Sequence, residues 1–229
     1  MNKFVKSMLA ALMVGGILAG CGASEDTSGS ESEKEEAKQS EQKPLKKEEE
    51  KKESNGKTEL LEVGQKAESE AGKAELLKIK EVNETVDIAP LKITVKDIKV
   101  IDMSDVDEVF AEDLSLMADT DVAELKDGFS YIQVQFTAEN TSDENVEWYD
   151  LMNVVTDKGE QIDGQMKDFL YDDAESDSVF IGKVKKEYQD GFIVKNADIN
   201  SVKLVFGYTM NGDTYEDITG EQTVEYRFQ

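Results

Sequence analysis

Tyr131-Ile132-Gln133-Val134-Gln135-Phe136-Thr137-Ala138-Glu139-Asn140 decides the fold class of this chain. Ile132, Val134, Phe136 and Ala138 alternate with Tyr131, Gln133, Gln135, Thr137 and Glu139, the period-two pattern of a strand with one face on a core and the other toward solvent. The run ends in Asn140-Thr141-Ser142-Asp143, short polar side chains that hydrogen-bond nearby backbone and start turns. Upstream, Leu91, Ile93 and Val95 alternate with Lys92, Thr94 and Lys96, and the apolar phase then slips by one residue before resuming at Ile98 and Val100. That slip predicts a β-bulge at Lys96 and Asp97. The β-branched residues Ile79, Val82, Thr85, Val86 and Ile88 predict another strand before Pro90.

Downstream, Val154-Val155-Thr156 runs into Asp157-Lys158-Gly159 and then Gln161-Ile162-Asp163, a hairpin with glycine where a positive φ is easiest. Residues 179–184, Phe192-Ile193-Val194, the alternation Val202, Leu204, Phe206, Tyr208, and finally Val224, Tyr226, Phe228 complete the series. Short strands at roughly ten-residue spacing, separated by turn signals, predict an all-β antiparallel sandwich. One helical interruption is expected over residues 106–117, where Val106, Val109, Phe110, Leu114 and Met117 recur at spacings of three and four behind Ser104 as N-cap.

Phe136-Thr137-Ala138-Glu139-Asn140-Thr141, the Val-Val-Thr-Asp-x-Gly hairpin at 154–159, and Gly191-Phe192-Ile193-Val194 followed by Val202-Lys203-Leu204 resemble the immunoglobulin-like domain of unknown function found in many Gram-positive lipoproteins. That group is similar in structure to the secreted mycobacterial immunoprotective antigen. The match covers roughly residues 82–206; the chain lacks the Pro-Gly that usually precedes the Gly-Phe strand and adds the acidic helical insert. The resemblance implies an extracellular, tethered, immunoglobulin-like module without known catalysis.

The first residues carry an address. Lys3 and Lys6 precede an apolar run, Met8 to Leu18, that is too short to span a bilayer as a permanent helix. It ends in Leu18-Ala19-Gly20-Cys21, which resembles the lipobox of bacterial lipoproteins, where the leader is cut before the cysteine and the sulfur is acylated. Each buried methylene contributes about 0.8 kcal/mol, so the two chains of a diacylglycerol anchor where one binds reversibly. Residues 22–58 are Ser, Glu, Lys, Gln and Gly with almost nothing apolar, and such a segment cannot offset its ordering entropy by burial. The expected organisation is a signal peptide over 1–20, the lipidated Cys21 with a disordered linker to 58, a transition segment over 59–75, and an immunoglobulin-like sandwich over 76–229.

Composition then restricts function. The chain has no histidine, which removes the commonest general base and zinc ligand and every Ser-His or Cys-His pair. A single cysteine forbids an intrachain disulfide, so the fold must rest on its core. Of the formal charge of −25, the leader holds +2 and the linker −3, leaving −24 on residues 59–229. A surface of that sign repels phosphates, so nucleic acid is not an expected partner; a protein or another cationic component of the envelope is, with the membrane reached through the lipid. No catalytic residue or cofactor is expected.

Residues 105–127 hold nine acidic side chains against Lys126, and Asp119, Asp121 and Glu124 are the candidates for a divalent cation. They lack the spacing of a DxDxDG calcium loop, and a solvated acidic face is the simpler expectation. This insert defines the alternative function, a divalent-cation-responsive or envelope-stress accessory protein. A glycosidase-like reading would use Asp172, Asp173, Glu175 and Asp177, though such a run is usually a loop. Trp148-Tyr149, with Phe169 and Tyr171, suggests an aromatic platform, whereas the lone tryptophan of a sandwich is usually packed in its core. Asn83-Glu84-Thr85 and Asn140-Thr141-Ser142 are expected to serve as turn chemistry.

Overall fold

The computed structural model describes residues 59–118, 120–171 and 177–228. Among them the chain forms three antiparallel sheets. The largest has the order β1 (Lys66–Ser69), β2 (Gly72–Ile88), β3 (Leu91–Ser104), β4 (Phe129–Asn140), β9 (Lys185–Val194). The second runs β13 (Gln222–Arg227), β10 (Ser201–Phe206), β6 (Leu151–Thr156), β7 (Gln161–Asp163), and the third β12 (Asp217–Thr219), β11 (Thr209–Asn211), β5 (Val146–Trp148), β8 (Val179–Phe180). Three helices accompany them: α1 (Glu108–Ala118), α2 (Val122–Asp127) and the single turn α3 (Gly164–Lys167).

The inner faces of all three sheets share one core, which makes the fold an all-β sandwich. Ile132, Val134, Phe136 and Ala138 of β4 are fully buried there, opposite Val100, Ile98, Val95 and Ile93 of β3. The register between these strands shifts between Val95 and Asp97, so the bulge expected from the sequence is present, and the extra residue returns Ile98 and Val100 to the core face. At the centre Phe136 stacks on Tyr188 at 4.8 Å between ring centroids and meets Phe206 and Trp148 edge-on at 5.6 and 6.3 Å. Trp148 is core, and its indole N–H donates to the Gly207 carbonyl at 2.9 Å.

A second core lies on the outer face of the largest sheet. The bulge places Ile101 and Met103 on that face; Phe129 and Tyr131 join them from β4, and Ala111, Leu114 and Leu125 close over them from α1 and α2. The outer face of β4 is therefore polar only in part. Burial pushes the Tyr131 hydroxyl up to about 12.

The helical insert differs from expectation in detail. Ser104 still pairs with Lys73 in the β2–β3 ladder, so it cannot cap a helix. Asp107 does so instead, accepting from the backbone N–H groups of Val109 and Phe110 at 3.0 and 3.1 Å. A separate helix α2 follows, and Val109 and Met117, expected on the apolar stripe, are 62% and 42% exposed because Ala111 and Leu114 form the packed face.

The stretch expected as a transition, residues 59–75, carries β1 and the start of β2, while the expected strand over 179–184 is reduced to β8, with Gly182 at φ +61° just beyond it. Asn140 closes its turn as expected, donating to the carbonyls of Glu144 and Gly182 and accepting from Ser142, and Asn83 sits at φ +54° where the β2–β3 register shifts. The leader, Cys21 and the linker lie outside the described residues.

The β6–β7 hairpin forms as expected, with Val154 opposite Ile162 and Gly159 at φ +81°. Asp157 ties its turn to the start of β10: its two carboxylate oxygens accept from the backbone and side-chain N–H of Asn200, both at 2.9 Å. These bonds, the backbone one foremost, hold its carboxyl at about 2.

Two outcomes follow. Phe136→Ala should destabilise the fold by about 3–5 kcal/mol in denaturant melts, the cost of emptying a fully buried aromatic site, whereas Leu116→Ala, at a side chain 85% exposed, should stay within about 0.5 kcal/mol. Asp157 has a depressed folded-state pKa, so its stabilisation is present above the unfolded value near 4 and disappears as pH falls toward 2. Melting curves of Asp157→Ala should accordingly lie below those of the parent at neutral pH and converge with them near pH 2.

Candidate binding surface

Strand β5 shows how a three-residue alternation builds a surface. Val146 and Trp148 point into the core, so Glu147 and the following Tyr149 project from the opposite face. Glu147 has Val179 of β8 and Met210 of β11 as cross-strand partners, and it is only 8% exposed. The Tyr149 hydroxyl donates to one of its carboxylate oxygens. Among the described residues no other group donates to Glu147 and no lysine or arginine pairs with it. The Tyr149 hydroxyl has its pKa raised, first by that bond and then by partial burial and the neighbouring charges, among them the phenols of Tyr208 and Tyr215. Tyr208 leads into β11, opposite the end of β5, and Tyr215 stands 68% exposed in the β11–β12 hairpin.

The corner between β5 and β6 is fixed from below. Asp163 caps α3, accepting from Gln165 and Met166, and the Gln165 side-chain amide donates to Asp150 at 2.9 Å and to the Leu151 carbonyl at 3.1 Å. Asp150 turns the chain with φ +47°. The β11–β12 hairpin is fastened separately: the hydroxyls of Thr209 and Thr219 both donate to the Ala89 carbonyl, at 2.9 and 2.7 Å, beside the cis Ala89–Pro90 peptide. An open groove of about 490 Å³ lies along this hairpin, lined by Pro90, Glu144, Asn211, Glu216, Asp217 and Ile218 among others. Among the described residues none of its three carboxylates has an ion-pair partner.

The acidic insert is organised differently. Asp107 is engaged as a helix cap, Glu108 pairs with Lys126 at 3.0 Å, and Asp105 pairs with Lys73 at 2.7 Å. Of the three candidate ligands, Asp121 flanks the start of α2 and Glu124 lies exposed in its first turn, while Asp119 is outside the described residues. Among the described residues no group of three or more acidic side chains is arranged to hold a metal ion.

The carboxylate run over 172–177 is described only at Asp177, which accepts from the Val179 backbone in a turn. The suggested platform does not assemble. Trp148 is in the core and Phe169 packs on Tyr131 at 5.1 Å in the second core, while Tyr149 and Tyr171 are 38% and 49% exposed.

A second buried charge lies on the outer face of β3. Lys99, 3% exposed, faces Asp97 at 3.4 Å, and one Asp97 oxygen is buried without a hydrogen bond. Burial outweighs the lysine and raises the Asp97 carboxyl. This pair is compensated within the chain; among the described residues Glu147 has no charged partner.

Glu147, Tyr208 and Tyr215 were not singled out by sequence reasoning. The one available signal was the alternation Val146-Glu147-Trp148-Tyr149, in which a core tryptophan forces its two neighbours onto the other face.

No protein-family model matches the chain, and no curated protein is similar to it. Solved structures similar in part include two proteins of unknown function. A functionally unknown protein from Listeria monocytogenes EGD-e shares 12% identity with a TM-score of 0.47, over 69% of this chain and 87% of that one. A conserved hypothetical protein from Bacillus anthracis shares 15% identity with a TM-score of 0.37, over 62% of this chain and 99% of that one. At these values neither bears on what the chain does.

The arrangement of the insert makes an expected outcome for calcium. A site of converging ligands at 100 times its Kd would stabilise by about 2.7 kcal/mol and raise the melting temperature by several degrees. We expect instead a weak, unselective response, screened at roughly 0.15 M salt and unchanged when Asp119, Asp121 and Glu124 become Asn or Gln; thermal shift with calcium and magnesium measures it.

Proposed function

We propose that the chain is a lipoprotein held at the outer face of the cell membrane by a lipid on Cys21, and that its immunoglobulin-like sandwich is a non-catalytic binding module of the cell envelope. The observation that carries the binding role is Glu147, a carboxylate buried without a counter-ion among the described residues, on a face that bears three tyrosines. Buried charges are ordinarily paired, and a partner that brings the missing charge gains what the free domain forgoes. Leu18-Ala19-Gly20-Cys21 behind an apolar leader supports the anchor, and the polar composition of residues 22–58 fits a spacer between anchor and domain.

The same sequence features support membership of the Gram-positive lipoprotein group that the strands resemble. A cation-responsive role for the acidic insert is less well supported, since Asp105, Asp107 and Glu108 are engaged by the chain's own lysines and helix cap.

Cys21→Ser tests the anchor. It should release the protein from the membrane fraction or leave it as uncleaved precursor, and it should abolish incorporation of labelled fatty acid. A Cys21→Ser protein that stayed in the membrane with its leader removed would overturn the reading.

A further inference from the structure

We infer that Glu147, Tyr149, Tyr208 and Tyr215 form a docking surface for a primary ammonium group, presented as a lysine side chain on a partner protein. The inference rests on the reading of the domain as a binding module and names the chemistry it recognises. Glu147 is 8% exposed, yet among the described residues its only hydrogen bond comes from the Tyr149 hydroxyl, which satisfies one oxygen and leaves the charge uncompensated.

The chemistry around it narrows the occupant. Aromatic faces attract cations through their quadrupoles, and more so where water is partly excluded, as beside a buried carboxylate. Tyr215 is 68% and Tyr149 38% exposed, so both offer ring surface to an incoming group. The domain as a whole carries −24, which favours a basic partner and repels nucleic acid.

Lysine fits better than the other cations. An arginine fork binds a carboxylate best with both oxygens open in its plane, and the Tyr149 hydroxyl already takes one acceptor site of one oxygen. An ammonium group is a compact point charge that needs only the remaining oxygen. A quaternary ammonium has no N–H to donate to that oxygen and would forgo the hydrogen bond.

The test uses the purified full chain and a fluorescent peptide of alternating glycine and lysine, at roughly 0.15 M salt so that a diffuse field is screened. The lysine peptide should bind saturably, and its Nε-acetylated form should not bind. Glu147→Gln, which keeps the shape and removes the charge, should weaken binding at least about tenfold. Tyr215→Asn removes an exposed ring while tolerating the left-handed backbone, so it should weaken binding about three- to tenfold with the melting temperature unchanged. Tyr149→Phe should free the second oxygen and shift preference toward the arginine version of the peptide.

Equal binding of the acetylated peptide, loss of all binding in salt, unchanged affinity in Glu147→Gln, or choline competing better than the lysine peptide would each overturn the inference. Those results leave the anchor untouched, since Cys21→Ser fractionation reports on it separately.

Discussion

The bulge at Lys96 settles which core each residue of β3 serves. Before it, Leu91, Ile93 and Val95 fill the sandwich; after it, an unbroken alternation would have sent Asp97 and Lys99 inward and Ile98 and Val100 out. The inserted residue reverses that, and it also turns Ile101 and Met103 toward the outer face, where they seat the helices. One extra residue thus lets a single strand contribute to two hydrophobic layers. It also leaves Asp97 and Lys99 on the outer face, where they form a buried ion pair.

That pair and Glu147 pose the same physical problem with different answers. Removing a charge from water costs several kcal/mol unless another charge or good hydrogen bonds repay it. Lys99 and Asp97 repay it imperfectly within the chain, at 3.4 Å and with one oxygen unbonded. Glu147 receives one neutral donor, the Tyr149 hydroxyl. The first arrangement belongs to a face covered by the chain itself, and the second to a face that ends in solvent.

The elements that sequence reasoning recovered are those long enough to express a period. β3, β4 and β10 each alternate over six residues or more, and the slip at Lys96 was visible because alternation was intact on both sides of it. β5, β11 and β12 are three residues each, too short for a pattern to rise above the polar turn residues that flank them. The helix is capped at Asp107 and not at Ser104 because Ser104, despite its suitable side chain, is held in the β2–β3 ladder, so tertiary pairing overrides a local preference. At the candidate surface Tyr149 was legible as an aromatic beside Asp150, whereas Glu147 sits in a run of acidic and amide residues that reads as loop. Its burial comes from Val179 and Met210, far away in sequence, which no local pattern encodes.

Because β5 is so short, the orientation of Glu147 depends on something other than the strand. A one-residue slip would exchange the faces of every side chain in it. The Trp148 indole prevents this: it is enclosed by Phe136, Phe180, Tyr188 and Phe206, and its N–H is committed to the Gly207 carbonyl just before β11. Turning Trp148 out would empty the centre of the sandwich and break that bond, so the phase of β5 is fixed by the most buried aromatic cluster in the fold. The Thr209 and Thr219 hydroxyls on the Ala89 carbonyl fasten the partner hairpin to the β2–β3 turn in the same way. The surface bearing Glu147 and the tyrosines is therefore preorganised by the core behind it, and tryptophan packing, together with the hydrogen bond from Tyr149, holds the buried carboxylate in place.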